Sequence, residues 1–251
     1  SYASDADVIA LHEAVGGASD SEAAASATAI VNRVKKLLGS ATSQLGIVVD
    51  LDLRPEGKNG PMSRTIASHE EYAQRWASTW ERQAAVRARP IGDGGLAQAA
   101  RSLFESMAYR DVSEAEVRDI RLLKARMENE RLPRGTEPAR HVKLGPGGLS
   151  DVEWTIQLIQ MRHGREVEAL RTSSTTDAIA AARDAGLLGA SDAEILLNAW
   201  DLATRIRAGN TLATGRMSGV KLDVVPRDSA ELGALAAILG YGSGGLTALE
   251  E

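Results

Sequence analysis

Ser-x-x-Glu boxes recur along this chain, and each marks a place where a helix is expected to begin. They stand at Ser19–Glu22, Ser68–Glu71, Ser113–Glu116, Ser150–Glu153 and Ser191–Glu194. In such a box the serine oxygen accepts an amide of the first turn and the glutamate reaches back to the serine amide, so two orphan donors are satisfied together. Apolar residues follow at helical spacing: Ile30, Val34 and Leu37 after the first box, Val117, Ile120 and Leu123 after the third, Val152, Ile156 and Ile159 after the fourth. The second box is expected to open a long helix through Arg89 that buries Tyr72, Trp76 and Trp80. Further helices are expected over 96–110, 178–185 and 229–239, with a polar loop from Gly209 to Lys221. A chain punctuated this way is committed to being helix-rich, and its 43% hydrophobic but only 4% aromatic content agrees.

The strand signal is confined to the first part. Val8-Ile9-Ala10-Leu11 follows Ser4-Asp5-Ala6-Asp7, and Gly46–Arg54 is a second β-branched run that carries Asp50 and Asp52. Acids at i and i+2 on a strand point to one side of the sheet. Their mutual repulsion is costly unless cations lie between them. Hard carboxylate oxygens suit Mg²⁺, which keeps waters and substrate phosphates in its remaining positions. Either acidic pair alone also reads as a solvated turn. If the two strands are neighbours, Asp5, Asp7 and Asp50 would hold two Mg²⁺ ions, the arrangement used for in-line phosphoryl or nucleotidyl displacement. Asp52 would share a face with Asp50.

Gly92-Asp93-Gly94-Gly95 is the best linker, so residues 1–95 are expected to form a small mixed-sheet domain and 96–251 an antiparallel helical bundle, an α+β chain overall. The glycines of the loop 141–148 precede a helix, which permits an anion nest, but the spacing is not that of a P-loop. A domain-contact loop that approaches the active site is the preferred reading. His12, His69, His141 and His163 have no ligand spacing and read as structural. A net charge of −5 makes nucleic acid a poor partner, and the absence of cysteine fits a reducing cytosol, hence a cytoplasmic protein. No apolar run approaches a membrane span.

Several ordered blocks resemble the bacterial glutamine synthetase adenylyltransferase family. They are Ser4-Asp5-Ala6-Asp7, Leu53-Arg54-Pro55-Glu56-Gly57-Lys58-Asn59-Gly60-Pro61, Trp80-Glu81-Arg82-Gln83-Ala84 with Arg87-Ala88-Arg89-Pro90, and Lys143-Leu144-Gly145-Pro146-Gly147-Gly148-Leu149 with Asp151-Val152-Glu153-Trp154. The resemblance implies a polymerase-beta-like nucleotidyltransferase domain followed by a helical region, here the C-terminal, adenylylating half. It implies transfer of AMP from ATP to a tyrosine of glutamine synthetase, regulation of nitrogen assimilation, and PII signal protein as a further partner. Asp5, Asp7 and Asp50 would be catalytic and metal-binding. Ser4 and Arg54, with Lys58, Arg87 and Arg89 behind them, would touch phosphate. Family members place a Gly-Gly pair shortly before the Ser-Asp-x-Asp, whereas this chain starts at Ser1, so a fragment of a larger protein, normally joined to a second nucleotidyltransferase half, is expected. The alternatives are the deadenylylating half, a PII-type uridylyltransferase (against which the Leu-Arg-Pro-Glu-Gly and Trp-Glu blocks argue), and a non-catalytic module that docks glutamine synthetase or PII.

Overall fold

The structure is a computed structural model that describes residues 5–39, 46–216 and 219–241. Strands β1 (Ala6–Asp7) and β2 (Ala10–Leu11) open it, followed by helix α1 (Asp20–Gly39) and then β3 (Val49–Asp50) and β4 (Ser63–Arg64). A helical crossover between strands permits parallel pairing, and both pairs are parallel: β1 with β3 and β2 with β4. The mixed sheet expected from the sequence is therefore, among the described residues, two short parallel pairs. The second acidic run also ends sooner than expected. β3 stops at Asp50, and the chain turns at once.

The Ser19–Glu22 box starts α1 as anticipated, with the Ser19 amide and hydroxyl both donating to Glu22 Oε2, at 2.9 and 2.7 Å. The single long helix expected over 68–89 is two. Helix α2 (Ile66–Arg75) is capped by Thr65, whose Oγ1 accepts from the Ser68 amide, and α3 (Thr79–Ala85) carries its own box at Ser78 and Glu81. The break at Trp76–Ala77 turns Trp76 outward, 60% exposed, and Trp80 is exposed too, so the expected burial of that aromatic row fails.

Helices α4 (Gly94–Ala108), α5 (Glu114–Arg131), α6 (Leu149–His163), α7 (Thr175–Asp184), α8 (Ala190–Thr214) and α9 (Ser229–Ile238) complete the chain. Ser113 and Glu116 form the box that starts α5. Helix α8 runs into the expected polar loop as far as Thr214 and closes at Gly215, whose φ of 65° suits a residue without Cβ. Buried Asn210 explains the extension, since its Nδ2 donates to the carbonyls of Leu222 (3.1 Å) and Val224 (3.0 Å). Past residue 100 the described residues show one isolated antiparallel bridge, His141 with Val224.

Packing ties the strands to the helices. Ile9 and Leu11 lie against a buried cluster from Ala85, Val86, Leu103, Phe104, Met107, Ile120 and Met161. Side chains on both sides of Gly92–Gly95 thus share one core. A second cluster joins α6, α7 and the start of α8, and a third joins α8 to α9. Arg82 is buried, 2% exposed, and donates to the Met107 carbonyl at 3.0 Å while pairing with Glu116, the same residue that completes the α5 box.

Candidate active site

The parallel register sets Asp7 directly opposite Asp50, locked by the Val8 amide donating to the Asp50 carbonyl at 2.7 Å and the Ala6 amide to the Val48 carbonyl at 2.8 Å. Asp5 precedes by one pleat repeat, which places it on the face of Asp7. The electrostatics agree with that placement. The Asp7 carboxyl is held above the usual carboxylate range, first by partial burial, then by the charges of Asp5 and Asp50, while Lys143 pulls the other way. Its side chain still reaches solvent.

Lys143 comes from the loop before α6, and the sequence reading did not single it out as a site residue. That loop is tightly built. A Cβ on Gly145 would stand 2.0 Å from the Pro138 carbonyl oxygen and 2.6 Å from that of His141. His141 Nδ1 accepts the amides of Lys143 (3.3 Å) and Leu144 (3.0 Å). The amides that an anion nest would need are spent on Val142, Lys143 and Gly148 carbonyls and on Asp151 Oδ2. The loop therefore brings a lysine side chain towards the acids and is not itself a phosphate cradle. A lone Lys in a glycine-rich loop gives no such signal in the sequence, because the meeting depends on a contact 136 positions apart.

The remaining expected ligands divide. Arg54 is turned onto its own loop, with Nη1 donating to the Leu51 carbonyl at 2.7 Å and Nε to the Gly60 carbonyl at 3.2 Å. Lys58 is 83% exposed, 3.4 Å from Asp52. Asp52 lies in the turn and gives its amide to Asp50 Oδ1 at 2.7 Å, so its carboxylate faces Lys58 and Arg54. The same loop holds Glu56 at φ 64°, a strained setting for a residue with a Cβ, anchored by Arg64 Nη2 at 2.7 Å. Arg87 donates to Thr175 Oγ1 at 2.5 Å and pairs with Glu153 at 3.3 Å, at the contact of α3 with α6 and α7. Arg89 points into a separate cavity beside α4. Ser4 lies outside the described residues.

The donor set tests whether divalent metal fits. Two acids in register and a third one pleat away, with one carboxyl already raised by burial and then by its neighbours, form a site that a hard cation would relieve. Among the described residues no three acids or histidines are drawn into ligating geometry. The chemistry of the donors fits, and Asp5, Asp7 and Asp50 are the residues that would hold the ions.

Acids in register on parallel strands at the front of a helical array are compatible with a nucleotidyltransferase, and that class is the one the relatives' names and the family model give. Residues 1–103 match the family model of glutamate-ammonia ligase adenylyltransferase, and residues 121–251 match that of GlnD PII-uridylyltransferase. A protein of Streptomyces coelicolor is 47% identical over 246 residues, which is 97% of this chain and 24% of the relative. One of Bifidobacterium longum subsp. infantis is 46% identical over 96% of the chain and 23% of the relative, and one of Mycobacterium marinum 41% over 96% and 24%. Each relative is named a bifunctional glutamine synthetase adenylyltransferase/adenylyl-removing enzyme. The chain belongs to the glutamine synthetase adenylyltransferase family, and it spans about a quarter of the length of these relatives.

Proposed function

We propose that this chain transfers AMP from ATP to a tyrosine of glutamine synthetase, as the adenylylating half of a larger enzyme. The observation that carries the reading is the parallel pairing that puts Asp7 opposite Asp50, in a chain whose relatives bear that activity in their names. In the reaction the tyrosine oxygen forms a bond to the α-phosphorus, the bond to the β-phosphate bridge breaks, pyrophosphate leaves, and the phenol proton is lost. Two Mg²⁺ bound by Asp5, Asp7 and Asp50 would supply charge stabilisation of the attacking and leaving oxygens. The chain's own residues do the rest. The strand pair fixes the carboxylates, and the rigid 141–148 loop presents Lys143 as a positive charge facing them. Ser4 and Lys58 are assigned to the phosphates. Arg54 supports them by holding the 51–60 loop, and Arg87 by bracing α3 against α6.

On this reading residues 1–95 form a polymerase-beta-like nucleotide-handling part, and 96–251 a bundle that positions the acceptor. The protein works in the cytoplasm, joined to a second nucleotidyltransferase half and answering to PII. The test is labelled nucleotide transfer, with ATP against UTP as donor and glutamine synthetase against PII as acceptor. Label passing from ATP to glutamine synthetase supports the reading. Label passing only from UTP to PII would make the chain a uridylyltransferase, the protein for which the model over 121–251 is described.

A further inference from the structure

A cavity of about 280 Å³ opens between the turn after α3, the outer side of α4 and the segment before α7. Its walls carry Arg89, Arg101 and Arg171, together with Tyr109 and Ser173, and among the described residues Glu105 is the one acid that lines it. Positive charge therefore outnumbers negative three to one. Guanidinium groups around one hollow favour an anion between them, since opposite charges attract at close range.

The arginines are disposed to receive a ligand. Neither Arg89 nor Arg101 has a hydrogen bond or ion pair among the described residues. This holds although Glu105 lies one turn beyond Arg101 on α4, a spacing at which ion pairs commonly form. Arg171 is the fixed member. Its Nε donates to the Gly164 carbonyl at 2.7 Å and its Nη2 to the Arg165 carbonyl at 2.8 Å, neutral acceptors that orient the group without cancelling its charge. The Tyr109 phenol, pushed up to about 12 by burial and then by Glu105, remains a neutral hydroxyl throughout the ordinary pH range.

Guanidinium forks match the oxygens of a phosphate, and hydroxyls add further donors. The volume falls just below the roughly 300–1,000 Å³ of ordinary small-molecule sites, which suits a phosphate or a small phosphomonoester and not a whole nucleotide. The place also differs from the acidic site. The Lys143 carbonyl accepts the Ser150 amide at the start of α6, and Gly164 caps its end. Those ends are separated by about 22 Å of helix at 1.5 Å per residue. We infer that this cavity is an anion site for a phosphate-class dianion, distinct from the acid-lined site, and the inference does not rest on the AMP-transfer reading.

The test is calorimetric titration of the chain with inorganic phosphate and, separately, with phenyl phosphate, at low ionic strength and with chelator present so that no metal couples phosphate to the acids. One saturable site is expected for at least one probe, weakened at least about tenfold in Arg89→Gln/Arg101→Gln, since each charge-assisted bond contributes about that factor or more, and unchanged in Asp7→Asn. The tighter probe distinguishes free phosphate from a phosphomonoester. Both arginines are exposed and unpaired among the described residues, so the double variant should keep its melting temperature, and Arg101→Glu alone should also lose binding. Absence of saturable binding by both probes, equal affinity in the arginine variants, or loss in Asp7→Asn would overturn the inference.

Discussion

Lowering the pH should weaken this fold through the buried imidazole of His69. His69 is 2% exposed, its Nδ1 has no partner among the described residues, and its ring meets the edge of Phe104 with centroids 5.4 Å apart. Burial, and secondarily the charge of Arg64, lowers its pKa from 6.5 to about 4. A base whose folded pKa is depressed contributes its full stability above the unfolded value and loses it as the pH falls from there towards the folded one. At about 1.4 kcal/mol per unit, the whole window from 6.5 to about 4 is worth about 3 kcal/mol, of which about 2 is lost by pH 5. Most carboxylates stay ionised down to pH 5, so the measurement belongs there. Urea unfolding at pH 7.5 and pH 5.0 should give the native chain a stability loss about 2 kcal/mol larger than that of His69→Phe, which keeps a ring against Phe104 and removes the titration. Equal losses in the two proteins would refute the assignment of the proton to His69.

Other perturbations follow from the same structure. Asp7 has a raised carboxyl, so its ionised form costs stability above its folded pKa and costs nothing below 3.8; Asp7→Asn should therefore raise the melting temperature at pH 7, and that gain should vanish at pH 3. Glu116→Gln should cost roughly 3 kcal/mol in urea unfolding, because it leaves the Arg82 guanidinium buried and uncompensated although glutamine can still close the α5 box. Gly145→Ala should disrupt the 141–148 loop, since its Cβ would overlap the Pro138 carbonyl, and amide exchange should quicken at Lys143 and Leu144.

The helices were legible where the local signal and the packing agree. Ser19 and Ser113 cap as their boxes indicate, whereas α6 and α8 start from Gly148 and Gly189, two residues ahead of the boxes at Ser150 and Ser191. A box is a local preference, and the chain enters those helices from turns that long-range packing fixes. The same reason defeated the 68–89 helix. Ser68 does meet the Thr65 cap, but Ser78 offers a second start, and no core requires Trp76 to stay inside. At the candidate site the acids were readable from their spacing, and the pairing of Asp7 with Asp50 is what spacing alone could only suppose. Lys143 and the sequestered Arg54 were not readable, because a side chain's partner depends on loops that close only in the folded chain.

The claim at the centre of this account is that Asp5, Asp7 and Asp50 act together in adenylyl transfer. It is tested most directly by following label from the α-phosphate of ATP to glutamine synthetase, in the presence of Mg²⁺, with the native chain and with Asp5→Asn, Asp7→Asn, Asp50→Asn and Asp52→Asn. The native chain should transfer, the first three variants should fall by at least about 100-fold with their folds intact, and Asp52→Asn should be milder. Full activity in Asp7→Asn and Asp50→Asn would contradict the account.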